Sequence, residues 1–177
     1  MTESTLIKAC IDHDRKSQKL LFDSYSGNMY AICLRYLKNE FDAQEALQKS
    51  FIKVFKNIHQ FNGSGNLGAW IRRIVVNVCI EALRKRKADR LFFTEEDLPE
   101  MVLNETDFDE ENYKHLLALL DTLPEGYRIV FSMFVIDEYS HAEIAKILGI
   151  KESTSRSQLL KARKYLQNLL QKQNMLP

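Results

Sequence analysis

The sequence predicts an all-α protein that consists of two small helical domains. Only 6 Gly and 3 Pro occur among 177 residues, too few for the many turns of a β-sandwich or barrel. Apolar residues recur every three to four positions through most of the chain, the spacing of one face of a helix. A 45% hydrophobic content is sufficient for packed cores. The third observation, an uneven distribution of charge, indicates how the chain is divided.

The net charge of +1 conceals three blocks of different sign. Residues 1–93 contain 16 basic and 9 acidic side chains, and residues 113–177 contain 9 basic and 6 acidic side chains. Between them, residues 94–112 contain 9 acidic side chains and no basic one. Two basic blocks on either side of an acidic segment indicate polyanion-binding domains joined by a linker. We therefore expect domains at 1–93 and 113–177 and a flexible acidic linker at 94–112.

The first domain is expected to contain four helices and one conspicuous loop. Apolar spacing predicts the helices Leu20–Lys38, Asp42–Ile58 and Ala69–Lys87, with a shorter one near Ser4–Asp12. Asp42 is a suitable N-cap for the helix that it precedes. The segment Phe61–Gly68 has three glycines in eight residues and is expected to be a loop.

The second domain is expected to contain four helices: Tyr113–Leu120, Pro124–Ile136, Ala142–Leu148 and one from about Ser153 to Gln171. Pro124 suits the first turn of a helix. Ser140 and Glu143 have the spacing of a capping box, and Gly149 is a suitable helix terminator. A short capped helix, a tight turn at glycine and a second helix with a polar start are typical of a helix-turn-helix motif.

The second helix of this motif carries the side chains that a DNA-reading helix needs. Its first turns contain hydroxyl, amide and guanidinium groups that hydrogen-bond base edges and phosphates, namely Ser155, Arg156, Ser157 and Gln158. Cationic side chains that suit phosphate contacts follow at Lys161, Arg163 and Lys164. An αα-hairpin with a solvated basic face remains the alternative interpretation.

Several other classes of protein are disfavoured. Cys10, Cys33 and Cys79 are far apart and have no C-x-x-C spacing, and His13, His59, His115 and His141 are scattered. No glycine-rich phosphate loop or nucleophile motif is present. We therefore expect no metal, no cofactor and no catalysis. The chain has neither the apolar run of a signal peptide nor the roughly 20 apolar residues of a membrane span, so we expect no membrane insertion.

Both blocks resemble a family of transcription factors. The segment 116–170, with LDTLPEGYRIVF, YSHAEIAKILGI and STSRSQLLKARKYL, is similar to region 4 of the extracytoplasmic-function (ECF) σ factors of bacterial RNA polymerase. The first block, with DAQEALQKSFIKVFKNI and WIRRIVVNVCIEALRKRK, is similar to their region 2. No counterpart of σ region 1.1 or region 3 is visible. The resemblance implies a cytoplasmic bacterial protein that binds core RNA polymerase and promoter DNA and is restrained by an anti-σ factor.

The resemblance also implies roles for individual residues. Core polymerase is expected to bind the polar face of the predicted helix Asp42–Ile58 at Gln44, Glu45, Gln48 and Lys49. The −10 element is expected to contact the loop and the helix after it at Asn62, Ser64, Asn66, Asn77, Arg84 and Lys85. The positions that match the −35 readers of the family are Arg156, Ser157, Leu160 and Lys161.

Four positions depart from the common pattern of the family. Gln158 replaces an Arg and Ser155 replaces a Val, which together suggest a subgroup with altered specificity. Ala46 and Lys49 stand where relatives often carry an acidic residue.

Three alternatives stay open at the level of the sequence. For any single candidate residue, an ordinary solvated helix face or a plain connecting loop is an adequate explanation. For the whole chain, a helix-turn-helix regulator that binds duplex DNA as a dimer without a σ role is the main rival. A nucleic-acid enzyme with a helix-turn-helix appendage is less consistent, because the acidic residues cluster in the predicted linker and not at a structured site.

Overall fold

The computed structural model of the chain describes residues 2–86 and 118–174, with side chains to residue 171. In these ranges every regular element is helical, so the all-α prediction is confirmed. The chain divides into two compact units, residues 1–88 and 89–177. The predicted linker at 94–112 and the start of the predicted helix Tyr113–Leu120 lie outside the described residues. In the part of the chain that the structure describes, no helix is long and apolar enough to cross a membrane.

The first unit contains four helices: α1 (Glu3–Ile11), α2 (Arg15–Leu37), α3 (Glu40–Asn57) and α4 (Leu67–Arg86). A single 3-10 turn, Ile58–Gln60, follows α3. Side-chain oxygens of the preceding residues accept hydrogen bonds from exposed backbone N–H groups at three helix starts. Thr2 caps α1, Asp14 caps α2 with a 2.8 Å bond from Ser17 N, and Asn39 caps α3.

One predicted cap is wrong. Asn39, and not Asp42, is the N-cap of α3, because its Oδ1 accepts the hydrogen bond from Asp42 N at 3.1 Å. Asp42 instead lies within the first turn of α3, and its carboxylate forms an ion pair with Arg86 at the end of α4. The negative charge still lies near the helix N-terminus, where the helix dipole favours it.

Helices α2, α3 and α4 pack on one another in all three combinations and form the core of the first unit. Leu21, Val54, Ile71 and Val75 are fully buried there. Each buried side chain of this size contributes roughly 1.5–3 kcal/mol relative to an exposed one. The buried hydroxyl of Ser50 is satisfied because it donates to Ala46 O at 2.6 Å. The three-helix core therefore fixes the outer faces of α3 and α4 and the loop between them.

The second unit contains helical residues 118–122, α5 (Glu125–Phe131), α6 (His141–Leu148) and α7 (Glu152–Asn174). The predicted helix Pro124–Ile136 is only partly correct, since it ends as an α-helix at Phe131 and continues as a π-helical turn, Ser132–Ile136. In this turn Asp137 N donates to Ser132 O at 2.9 Å. Pro124 precedes the helix at the N-cap position with ψ 144°, instead of lying within the first turn.

Helices α6 and α7 form the predicted helix-turn-helix. Ser140 Oγ accepts from Glu143 N, and Glu143 Oε2 accepts from Ser140 N at 2.9 Å, which confirms the capping box. Gly149 ends α6 in the left-handed conformation at φ 69°, where a side chain would be strained. The two helices pack on each other, and Ile144 of α6 and Leu159 and Leu166 of α7 are buried. The second unit therefore presents α7 on a scaffold made by α5 and α6.

Candidate DNA- and polymerase-binding surfaces

The outer face of α3 carries the residues predicted to bind polymerase, and all four of them are exposed: Gln44, Glu45, Gln48 and Lys49. Two of these side chains bind each other, since Lys49 Nζ lies 2.6 Å from Glu45 Oε1 with both groups about half exposed. Such exposed i,i+4 pairs are worth only a few tenths of a kcal/mol. Either side chain therefore exchanges its partner at little cost.

A groove of about 480 Å³ lies between this face of α3 and the last turns of α4. Ion pairs cross it, one between Asp42 and Arg86 and another between Lys53 Nζ and Glu81 Oε2 at 2.9 Å. Ile52 lines the groove, yet its surface is 66% exposed. The groove is consequently a mixed surface of charges and exposed apolar area.

Two exposed apolar residues on α3 were missed by sequence reasoning. Phe41 is 76% exposed and Ile52 is 66% exposed. They are eleven residues apart, three helical turns, so they share one side of α3 with Glu45 and Gln48 between them. Both stand outside the buried stripe of the helix, and that mismatch was the available signal. Solvent-exposed apolar side chains on either side of a polar centre are typical of protein-binding surfaces.

The loop between Ile58–Gln60 and α4 is exposed from residue 62 to residue 66. Asn62 Oδ1 accepts from both Ser64 N at 3.0 Å and Ser64 Oγ at 2.6 Å. Gly63 and Gly65 have φ values of 74° and 97°, which only glycine adopts without strain. The loop is therefore a defined turn held by its own side chains, with open space around its glycines.

Asn66, the third polar candidate of this loop, caps α4. Its Oδ1 accepts from Ala69 N at 3.0 Å, an arrangement typical of a helix N-cap. Asn77, Arg84 and Lys85 lie farther along α4 and are all exposed. Asn77 and Arg84 are seven residues apart and so face the same direction. The loop candidates and the α4 candidates therefore lie at exposed positions of two consecutive elements of the first unit.

The predicted DNA-reading residues of α7 fall into two groups. Arg156 and Ser157 are exposed, and Leu160, Arg163 and Lys164 are half-buried. The guanidinium of Arg156 forms an ion pair with Glu152 and remains 64% exposed. Ser157 Oγ donates to Thr154 O at 3.0 Å. These residues are accessible to a ligand in the observed conformation.

The second group, Ser155, Gln158 and Lys161, is buried, with exposures of 0%, 2% and 6%. A buried side chain must lose its present neighbours before it contacts DNA. Sequence reasoning placed all three on the reading face because of their polar chemistry. The available signal was position, since Ser155, Gln158, Leu159 and Ala162 have the i, i+3, i+4, i+7 spacing of one helix face.

His141, the first residue of α6, was not assigned a role by sequence reasoning. Its ring stacks on Phe134 with centroids 4.3 Å apart, and its Nδ1 lies 2.9 Å from Ser155 Oγ. Burial lowers the pKa of His141, the charges of Arg156 and Arg163 lower it further, and Glu152 opposes this effect. The ring is therefore neutral at pH 7.

Neither unit presents the features of a metal centre in its described residues. Over residues 2–86 and 118–171 there is no group of three or more His, Cys, Asp or Glu side chains placed to hold a metal ion. Cys10, Cys33 and Cys79 are all buried in the first unit.

Comparison with known proteins identifies both units. The Sigma-70 region 2 family matches residues 21–88, and the Sigma-70, region 4 family matches residues 114–166. The ECF RNA polymerase sigma factor SigW of Bacillus subtilis is 28% identical over 93% of this chain and 97% of its own length. The ECF RNA polymerase sigma factor SigE of Mycolicibacterium smegmatis is 27% identical over 86% of this chain, which spans 61% of that relative.

A solved structure agrees at the level of the fold. The sigma factor RpoE of Bartonella quintana, in complex with the anti-sigma factor NepR, covers 86% of this chain and 96% of its own length with a TM-score of 0.53 and 21% identity. Sigma factors as a family are not enzymes. The two matched regions occur in the order region 2 then region 4 and together account for more than half of the chain. The chain belongs to the extracytoplasmic-function group of bacterial RNA polymerase σ factors.

Proposed function

We propose that this chain binds core RNA polymerase and directs it to promoters, where the first unit reads the −10 element and the second unit reads the −35 element. One observation carries the proposal. A helix-turn-helix with an exposed Arg156 and Ser157 occurs in the same chain as an exposed polar helix face on α3, each within its own matched σ region. A regulator that binds only duplex DNA has no use for the second surface.

The polymerase-binding surface is the side of α3 that contains Gln44, Glu45, Gln48 and Lys49. Its polar groups lie in water and have at most weak partners, so they exchange these partners for groups on polymerase at low cost. Phe41 and Ile52 add apolar area at the two ends of this surface. A polar centre with apolar anchors supports a protein partner and not a nucleic acid, because two acidic groups lie nearby at Glu45 and Asp42.

The −10 element is proposed to contact the loop Asn62–Asn66 and the adjacent side of α4. Extruding a base from the stack costs a few kcal/mol, which a polar pocket must offset. Asn62 Oδ1 already accepts hydrogen bonds from Ser64 N and Ser64 Oγ, so a base edge replaces an existing bond and does not leave a group unsatisfied. Asn77, Arg84 and Lys85 follow on α4 as contacts to the duplex, and the last turn of that helix is basic.

The −35 element is proposed to lie along α7. Arg156 is the candidate for bidentate contact with a guanine, the commonest specific contact in the major groove. Ser157 and Leu160 are adjacent candidates for base contacts, and Arg163 and Lys164 are candidates for phosphate contacts. Contacts by Ser155, Gln158 or Lys161 require that these side chains leave their buried positions.

Catalysis belongs to the polymerase in this proposal, and the chain needs no cofactor of its own. Its place of action is the bacterial cytoplasm, where core polymerase and promoter DNA are present. An anti-σ factor is a further expected partner, which is supported by the solved relative that was crystallised with one. The exposed face of α3 is a suitable target for such a partner because occupying it prevents polymerase binding.

Reconstitution with purified core polymerase tests the proposal. The chain should co-purify with core polymerase and support transcription from promoters selected from genomic DNA, whereas core polymerase alone should not. The double variant Gln48→Ala, Glu45→Gln should weaken the complex with core polymerase, and Lys19→Ala on the exposed side of α2 serves as the matched control. Tight, promoter-specific DNA binding by the isolated chain on a two-fold symmetric site, without polymerase, would support the regulator alternative instead.

A further inference from the structure

Three side chains from three separate elements meet where the helix-turn-helix begins. Phe134 lies in the π-helical turn Ser132–Ile136, His141 is the first residue of α6, and Ser155 is in the first turns of α7. The ring of His141 stacks on Phe134 at 4.3 Å with an angle of 21° between the planes. In its own plane, its Nδ1 lies 2.9 Å from Ser155 Oγ. The imidazole is therefore fixed in two directions, by a stacking contact and by a hydrogen bond.

The backbone that carries His141 is itself held on both sides. Ser140 closes the capping box with Glu143, which fixes the first turn of α6. On the other side, Tyr139 N donates to Met133 O at 2.9 Å, which ties the segment before α6 to the π-helical turn. Because the start of α6 has little freedom, the position of Nδ1 is determined by the scaffold and not by α7.

Fixing Ser155 fixes the direction of its neighbours on α7. Successive residues of an α-helix are rotated by about 100°, so the angular position of one side chain determines that of the others. Ser155 is fully buried and points toward the scaffold, and Arg156 and Ser157, the next two residues, are exposed. A rotation of α7 by one residue position, about 100°, would move Arg156 into the buried position of Ser155 in one direction, and would move Ser155 into the exposed position of Arg156 in the other. The hydrogen bond between His141 and Ser155 opposes either rotation.

We propose that His141 is a positioning residue for DNA recognition, which holds α7 through Ser155 so that Arg156 and Ser157 face the base edges. The inference rests on the proposed role of α7 as the reader of the −35 element. It assigns Ser155, a departure from the usual Val of the family, to the interior contact with His141 and not to a base. The pairing also gives the buried hydroxyl a partner, without which it would be an unsatisfied polar group in the interior.

Burial is the largest influence on the pKa of His141 and lowers it. Among the charged groups that act on the ring, Arg156 and Arg163 of α7 lower the pKa further, and Glu152 raises it. Protonation would place a cation beside the two arginines that face DNA. The pKa of His141 in the folded protein is below its ordinary value of about 6.5. The stabilisation that the neutral ring provides is therefore fully present above that pH. It is lost as the pH falls through the lowered pKa.

A double-mutant cycle on the holoenzyme tests the proposal. His141→Phe retains the stacking surface and removes the hydrogen bond, Ser155→Ala removes the hydroxyl, and Ser155→Thr retains it. The measurement is the ratio of affinities for a consensus −35 element and for single-base variants, with thermal unfolding of each variant in parallel. We expect His141→Phe and Ser155→Ala each to reduce this ratio by about two- to tenfold. The double variant should be no worse than either single one, and Ser155→Thr should preserve the wild-type ratio.

Two further readouts separate positioning from mere stability. The base preference of wild type should decline as the pH falls from about 6.5 toward the lowered pKa of His141, and the part of this decline that His141 causes should be absent in His141→Phe. Additive effects in the cycle, or unchanged base preference in folded His141→Phe and Ser155→Ala, would overturn the proposal. If His141→Phe or Ser155→Ala prevents folding, the pH dependence of wild type still decides, because a base preference that stays constant while the ring of His141 becomes protonated contradicts the proposal.

The failure of this inference is distinguishable from failure of the proposed function. If Arg156→Ala changes base preference and His141→Phe does not, α7 reads DNA without the help of His141. If Arg156→Ala also has no effect, the assignment of α7 as the reader is itself wrong.

Discussion

The two surfaces proposed to read DNA differ in how they present their polar side chains. In the loop of the first unit, residues 62–66 are all exposed, and their hydrogen bonds are local to the loop and the first turn of α4. In α7 of the second unit, three of the polar candidates are buried and only two are exposed. The loop is therefore accessible to a ligand in its observed conformation. In α7, packing against α5 and α6 determines which side chains face outward.

The difference follows from the two kinds of secondary structure. A loop with glycines at positive φ has few neighbours and satisfies its polar groups within a few residues. A helix has two sides, and the side that packs on a core buries whatever residues lie there, polar or not. We expect the loop to be robust to changes in the core, and α7 to be sensitive to them.

The largest effect should come from the core that supports α7. Ile144 is fully buried in α6, and Ile144→Ala should cost roughly 2–5 kcal/mol of the free energy of unfolding of the second unit. Recognition of the −35 element should be lost, while binding of a −10 fragment by the holoenzyme should persist. Circular dichroism during thermal unfolding and fragment-binding assays provide the measurements. Lys146→Ala, at an exposed position of the same helix, is the control, and an equal loss at both DNA elements would contradict the independence of the two units.

Arg156 offers the next largest effect. Arg156→Ala should cost about 1–3 kcal/mol in holoenzyme affinity for the preferred −35 sequence if its guanidinium is bidentate to a guanine. The loss should disappear when that base pair is changed. Glu152→Gln removes the ion-pair partner of Arg156 but retains the guanidinium, so it should leave base preference intact. A uniform loss across all −35 variants would instead indicate a phosphate contact.

Most of the fold follows from the sequence, and the exceptions have physical reasons. The helices were predicted because apolar spacing reports which residues face a core, and the box of Ser140 and Glu143 marks the start of α6. The cap of α3 was assigned to Asp42 because Asn39 and Asp42 are both good N-caps and spacing does not choose between them. The π-helical turn after Phe131 is invisible to a 3.6-residue pattern.

The candidate sites are less predictable than the fold, because chemistry and position gave conflicting indications. Ser155 and Gln158 have the side chains of DNA readers, but they share the buried face of α7 with Leu159 and Ala162. The partner of Ser155, His141, is fourteen residues away in the chain, and no local pattern relates them. Phe41 and Ile52 were missed because only polar side chains on the outer face of α3 were considered as contacts.

A smaller effect is expected at Asn66, whose side chain caps α4 and is also a candidate for contact with DNA. Asn66→Ala should lower the free energy of unfolding of the first unit by about 1 kcal/mol, and Asn66→Ser, also a good cap, should retain most of it. If Asn66 also binds a base, both variants should weaken binding of the −10 single strand to the same extent. If it serves only as a cap, Asn66→Ser should bind like wild type, so stability and affinity measured on both variants separate the two roles.

The smallest effect, and the one that compares burial with function most directly, concerns two lysines of α7. Lys164 is half-buried, whereas Lys161 is only 6% exposed although it matches a −35 reader of the family. Each phosphate contact lowers the slope of log affinity against log salt by about 0.9. In the holoenzyme, Lys161→Ala and Lys164→Ala should each flatten that slope by this amount, because polymerase holds α7 on DNA and the cost of exposing Lys161 is repaid there. In the isolated chain only Lys164→Ala should change the weak, nonspecific slope, because Lys161 stays among its present neighbours.

Salt titrations of both variants, in the holoenzyme and in the isolated chain, distinguish the outcomes. If Lys161→Ala has as large an effect as Lys164→Ala in the isolated chain, burial does not prevent Lys161 from contacting DNA. If Lys161→Ala has no effect in the holoenzyme, Lys161 is not a DNA contact.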